Sequence, residues 1–174
     1  MKIALIGATG YVGAAILKEA LDRGHEVTAI VRNPDTLTSH QKLHPAKGDI
    51  YNENEVARLV MDHESVISAF NPGWTNPDIY SQQIKGTHSI ISGVKKSGVK
   101  RLLFVGGAGS LEVTPGVQSV DMPGFPAEYK QGALATRWTC FGRNRALNGH
   151  SFLRQPTCFP ANAQEGSDSE PISC

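Results

Sequence analysis

The chain has 174 residues, with 17 Lys plus Arg against 16 Asp plus Glu and a formal net charge of +1, a size suited to one domain with its own core. That balance supplies no field for nucleic acid or an anionic membrane surface, so a small molecule is the expected partner. No apolar run approaches the roughly 20 residues that cross a bilayer, Met1-Lys2 leads straight into a strand with no signal-peptide layout, and Cys140, Cys158 and Cys174 lack metal or disulfide spacing; a cytoplasmic protein is expected.

Lys2-Ile3-Ala4-Leu5-Ile6 is apolar, rich in β-branched residues and stops at glycine, which reads as a buried parallel strand. Helical spacing follows from Tyr11 to Arg23 through Val12, Ala15, Ile16, Leu17, Ala20 and Leu21, with Gly24 as the stop. A second strand runs from Glu26 to Val31 and breaks at Arg32-Asn33-Pro34-Asp35, because the residue before proline is pushed out of the helical region. Then come a weak strand before Gly48-Asp49, a helix near Glu53 to Asp62, a strand from Ser65 to Phe70 and a Pro/Gly-rich loop from Asn71 to Pro77. A helix from Asp78 to Ser97, ended by Gly98, and a strand from Arg101 to Val105 complete the pattern. Five strands alternating with helices predict an α/β architecture, a Rossmann-like doubly wound parallel sheet with helices on both faces, over residues 1–136. Past about residue 137 lysine disappears, every cysteine is found and periodicity is lost, so 137–174 reads as an aberrant or disordered tail.

Gly7-Ala8-Thr9-Gly10-Tyr11-Val12-Gly13 joins the first strand to the first helix. A glycine turn there lets the backbone approach a pyrophosphate, and the unpaired N–H groups at the helix start stabilise its charge. The spacing alone also fits a tight turn with no ligand; its place between strand and helix is what points to a dinucleotide. The second strand ends Ile30-Val31-Arg32-Asn33, without the carboxylate that would hold a free ribose 2′-hydroxyl. Arg32 can instead grip a 2′-phosphate, which makes NADPH the expected cofactor and NADH the less favoured one, unless Arg32 is simply a solvated surface residue. Asp49 is placed either to accept from an adenine amino group, with Ile50 against the ring, or to cap the helix that follows. Ala69 and Phe70, together with Gly106 and Gly107, follow strands at the carboxyl edge, where ligands of such sheets bind, and are expected to line the nicotinamide end.

The stretches MKIALIGATGYVGAAILKEALDRGHEVTAIVRNP, VISAFNPGWTNPDIY, IKGTHSII, VKRLLFVGGAGSL and FPAEYK resemble the NADH-flavin reductase group of the atypical short-chain dehydrogenase/reductases, over about residues 1–136. The resemblance, which extends to biliverdin reductase B and NmrA-like regulators, implies a Rossmann fold and hydride transfer to a flavin, a quinone or a similar planar acceptor; the alternative it implies is a non-catalytic NADP(H)-binding regulator. Tyr129 and Ser110 are the candidate catalytic residues, Ser110 as a hydrogen-bond donor to the acceptor or, in the plainer role, as a loop-capping serine, although Tyr129 is followed by Lys130-Gln131-Gly132-Ala133 and so lacks the lysine of the YxxxK pair. Alcohol–ketone chemistry through that pair is therefore not expected, whereas a flavin or quinone can take its protons from solvent. Family members continue after ALATR with a further helix and strand; here the tail departs, as a change of reading frame near Arg137 would explain, the alternative being a genuinely divergent terminus. Oligomeric state is left open.

Overall fold

The computed structural model describes residues 1–141 and 151–153, with side chains through Arg137. Strand β1 (Lys2–Ile6) is the centre of the fold, and its alternation divides the core into two. Ile3 and Leu5 join Leu17, Ala20, Val27, Ala29 and Val31 under helix α1 (Tyr11–Asp22), while Ala4 and Ile6 join a second cluster on the opposite face. That second cluster includes Val56 and Val60 of α2 (Glu53–Val60) and Ile90, Ile91 and Val94 of α3 (Ile79–Ser97). Because both faces are covered, the strand is apolar without a break from Ile3 to Ile6, and each large side chain removed from water contributes roughly 1.5–3 kcal/mol.

Around β1 lie β2 (Glu26–Val31), β3 (Leu43–Lys47), β4 (Ser65–Ser68) and β5 (Leu102–Val105), all parallel, in the order β3-β2-β1-β4-β5. This is the predicted doubly wound α/β sheet, and the order reverses between β1 and β4, opening a crevice at the carboxyl ends of the strands. β3 forms one edge and contains Pro45 opposite Ala29 of β2.

Three features go beyond the sequence reading. An antiparallel pair, β6 (Glu112–Thr114) and β7 (Val117–Gln118), projects after β5. Helix α4 (Ala127–Phe141) carries Tyr129 and runs past residue 137, where irregular chain was expected. Strand β8 (Ser151–Leu153) then pairs in parallel with β5, making a sixth strand where the tail was read as having none. The physical reason is that β5 would otherwise present a row of unpaired N–H and C=O groups. The other tail positions, 142–150 and 154–174, and with them the small polar stretch expected to lack structure, lie outside the described residues. Among the described residues no helix is long and apolar enough to cross a membrane.

Helix α2 begins at Asn52, whose side-chain oxygen accepts from the backbone N–H of Asn54 at 3.1 Å and Glu55 at 3.3 Å. Lys96 of α3 donates to Glu53 at 2.7 Å and Asn54 at 2.9 Å, and it holds the Glu53 carboxyl below its usual range, so this tie loosens as acid protonates Glu53. Asn52→Ala is expected to lower stability by about 1 kcal/mol, read as a lower urea midpoint with an unchanged slope.

Candidate functional site

The turn after β1 is shaped by close backbone approaches. Gly7 has φ +83°, and a Cβ there would lie 2.7 Å from the Ala69 carbonyl oxygen. A Cβ on Gly13 would lie 1.9 Å from the Gly7 oxygen, so α1 starts hard against the turn. Gly10 differs: its φ of −79° and ψ of 165° suit any residue, and a Cβ would meet nothing closer than the Gly7 oxygen at 3.4 Å. Space at Gly10 is therefore not used by the protein itself. Gly10 donates to the Gly7 carbonyl at 3.1 Å and accepts from Ala14 at 2.8 Å, and no side chain caps α1. Thr9 and Tyr11 are exposed beside it, with Val12 half-buried. The arrangement leaves an uncapped, electropositive helix start facing open space, a cradle for an anion.

Arg32 follows directly on β2, is exposed, and makes no ion pair with another described residue. With Thr9, Lys18, Asn33, Thr36 and His40 it lines a cleft of about 990 Å³ between α1 and the chain leading to β3. Asp35, the nearest acid in sequence, sits in a turn begun by Asn33, whose side chain accepts from the Asp35 backbone N–H at 3.2 Å.

Asp49 does not cap α2; Asn52 does. The Asp49 carboxylate instead accepts from the Tyr51 backbone N–H at 2.9 Å, and Ile50 packs on the second core cluster. Tyr51 was not among the candidates, yet it is the best-anchored ring of this edge. Its ring stands edge-on to Phe70 with centroids 5.9 Å apart, Lys85 Nζ lies 5.6 Å from its centroid, and its hydroxyl donates to Gln82 Oε1 at 3.2 Å. Burial pushes the Tyr51 hydroxyl above its ordinary range, Arg32 pulls it back and Asp49 adds to the rise, so it stays protonated at neutral pH. Its position directly after Gly48-Asp49-Ile50 was the only sequence signal.

Ala69 donates to the Ile6 carbonyl at 2.9 Å, and Phe70 accepts at its carbonyl from Gln83 Nε2 at 3.4 Å, so both expected residues flank the glycine turn. Gly106 and Gly107 follow β5, and Ser110 closes their loop. Ser110 is fully buried, and its hydroxyl donates to the Gly107 carbonyl at 2.8 Å, so it braces the loop and would have to abandon that bond to reach an acceptor. Tyr129 is half-buried in the first turn of α4, with Trp74 edge-on at 5.4 Å between centroids. Four residues on, Ala133 is buried against Gly109, where a Cβ would fall 2.7 Å from the Ala133 Cβ. A lysine has no room there. Ala133→Lys, which would recreate the YxxxK spacing, is expected to lower the melting temperature sharply without conferring alcohol dehydrogenase activity; thermal melts and a secondary-alcohol assay check this.

A parallel sheet whose crevice opens at β1 and β4, with a glycine turn leading into the first helix, defines a Rossmann dinucleotide-binding domain. Residues 7–139 match the NAD(P)H-binding family model, and the chain belongs to that family. It is 39% identical over 131 residues to YwnB of Bacillus subtilis, covering 74% of this chain but only 59% of that protein. A crystal structure of a provisionally named epimerase from Bacteroides thetaiotaomicron is 45% identical, with a TM-score of 0.73, over 79% of this chain and 62% of that one. A provisionally named NADH-flavin reductase from Streptococcus pneumoniae is 32% identical with a TM-score of 0.66, over 88% of this chain and 70% of that one.

Proposed function

We propose that this chain binds NADPH in preference to NADH and serves its reduction of a flavin, quinone or similar planar acceptor. What carries the acceptor class is the arrangement around Tyr129: position 133 is a buried alanine packed on Gly109, not a lysine, and the Ser110 hydroxyl is committed to Gly107. An alcohol or ketone would need a positioned proton partner, whereas a planar acceptor needs mainly a held ring and solvent protons. When bound, the nicotinamide supplies hydride. The chain's own residues would do the rest: the turn from Gly7 to Gly13 would hold the pyrophosphate, Arg32 the 2′-phosphate, Asp49 and Ile50 the adenine, and Ala69, Phe70, Gly106 and Gly107 the nicotinamide end. The resemblance to a provisionally named NADH-flavin reductase supports this reading. The same lack of a committed proton donor also favours a second reading, a regulator that binds NADP(H) without turnover.

The test is NADPH oxidation followed at 340 nm with FMN, riboflavin and menadione, beside calorimetric binding of NADPH and NADH. Turnover with at least one acceptor is the expected result. Tight NADPH binding with no oxidation by any of them would favour the regulator.

A further inference from the structure

The rings of this protein are unevenly placed. The chain has four tyrosines, and every one lies in a connection that leaves the carboxyl end of a sheet strand: Tyr11 after β1, Tyr51 after β3, Tyr80 after β4, and Tyr129 in α4, which follows β5 by way of β6 and β7. Trp74 joins them in the loop between β4 and α3. The opposite edge of the sheet has no tyrosine. Tyr11 is 96% exposed, Trp74 52% and Tyr80 39%, so this edge presents ring surface to solvent instead of covering it. Exposed aromatic surface gathered at the edge that carries the glycine turn is what a flat, conjugated ligand would cover.

Trp74 is half-exposed and yet held in place by the surrounding structure. Its indole is edge-on to Tyr129 at an interplanar angle of 87°. One rim rests on Gly132 of α4, where even a Cβ would come within 2.6 Å of Trp74 Cζ3, so α4 leaves out a side chain at the place where the indole lies. The loop beneath is cross-braced. Asn71 Oδ1 accepts from the Gly73 N–H at 2.7 Å, Asn76 Oδ1 accepts from the Asp78 N–H at 2.9 Å, and Asn76 Nδ2 donates to Gln82 Oε1 at 3.0 Å. A half-exposed ring already fixed in this way loses little freedom when a second ring stacks on it.

We infer that Trp74, held by Tyr129 and Gly132, is the stacking platform for the planar acceptor ring. This rests on the reading that such an acceptor is reduced at this edge. It gives Tyr129 a positioning role, acting through Trp74, and it accounts for acceptor selection by shape, since stacking accepts any flat conjugated ring and gives a saturated alcohol nothing.

The experiment uses the full chain, with riboflavin and menadione as probes. Trp74→Ala is expected to raise KM for both acceptors about tenfold, leaving kcat within a few-fold and KM for NADPH unchanged, and Trp74→Phe should recover most of the loss. Independently of turnover, riboflavin added in the presence of NADP+ should quench tryptophan fluorescence in the parent, corrected against free tryptophan. The quench should vanish in Trp74→Phe, although Trp138 remains. Unchanged acceptor KM in Trp74→Ala, or an equal quench in Trp74→Phe, overturns the inference. A parent that oxidises no NADPH but shows a Trp74-dependent quench would remove the reductase reading and leave the platform standing. Should Trp74→Ala fail to fold, Trp74→Phe and the quench decide.

Discussion

Gly10→Val is expected to abolish binding of both nicotinamide cofactors while the protein stays folded, and Gly13→Ala to do the reverse damage, sharply destabilising the chain whether cofactor is present or not. The two glycines are three residues apart, and the sequence motif treats them alike. Their surroundings separate them. At Gly10 an added Cβ meets nothing of the protein closer than 3.4 Å and the backbone angles are ordinary, so the expected stability cost is below about 1 kcal/mol. It would, however, project where a pyrophosphate must lie. At Gly13 the first added carbon falls 1.9 Å from the Gly7 oxygen, an overlap only a shift of α1 or of the turn could relieve, at about 3 kcal/mol or more. That is a large share of a typical domain's 5–15 kcal/mol. Circular dichroism and calorimetric titration of both variants check the pair: normal NADPH binding by folded Gly10→Val would show that the turn has another task. The argument from restricted backbone angles, which the motif suggests for all three glycines, holds only for Gly7, at φ +83°.

Arg32→Ala is expected to weaken NADPH binding by about 10- to 100-fold, some 1.4–2.8 kcal/mol, while leaving NADH binding nearly unchanged. Arg32 is exposed and makes no ion pair with another described residue, so its removal breaks no internal contact that stability depends on. The melting temperature of the free protein should therefore hold, and the loss should appear only with the phosphorylated cofactor. Calorimetric titration with both cofactors at equal ionic strength checks the prediction, because a charge-assisted contact weakens with salt. Equal affinity for the two cofactors in the parent protein would defeat it.

What could be read from the sequence was local. The run of residues 2–6, the glycine spacing and the periodicity of α1 each depend on neighbours within a turn or two, and the structure has them where expected. β3 was weak because, as an edge strand, it buries only Leu43 among His44, Pro45 and Lys47, so neither apolar period shows. α4 left little trace for the opposite reason: its packed face is made of Gly132, Ala133, Ala135 and Thr136, small residues that fit against Trp74 and the loop after β5 without the large apolar side chains that mark a helical stripe. Ser110 fitted either a donor to the acceptor or a loop cap, and its burial and its bond to Gly107, which no sequence shows, are those of a loop cap. Asp49 and Asn52 are both good capping residues three positions apart, and only the course of the chain decides between them. The contacts of Tyr51 and Trp74 come from segments distant in sequence, and no short pattern encodes them.

Pro45 gives the sheet a definite end. An exposed parallel strand offers a ladder on which a second chain, or a partly unfolded copy of the same one, can add, and sheets that grow in this way aggregate. Within β3, Pro45 contributes no N–H, and in an edge strand the missing donor is tolerated on the side away from β2. Lys42 just before the strand and Lys47 at its end add charge that an incoming strand would have to desolvate. The residues that hid β3 from a reading of apolar pattern are thus the ones that discourage a further strand from adding: an edge written as a good strand would be easier to recognise and easier to extend.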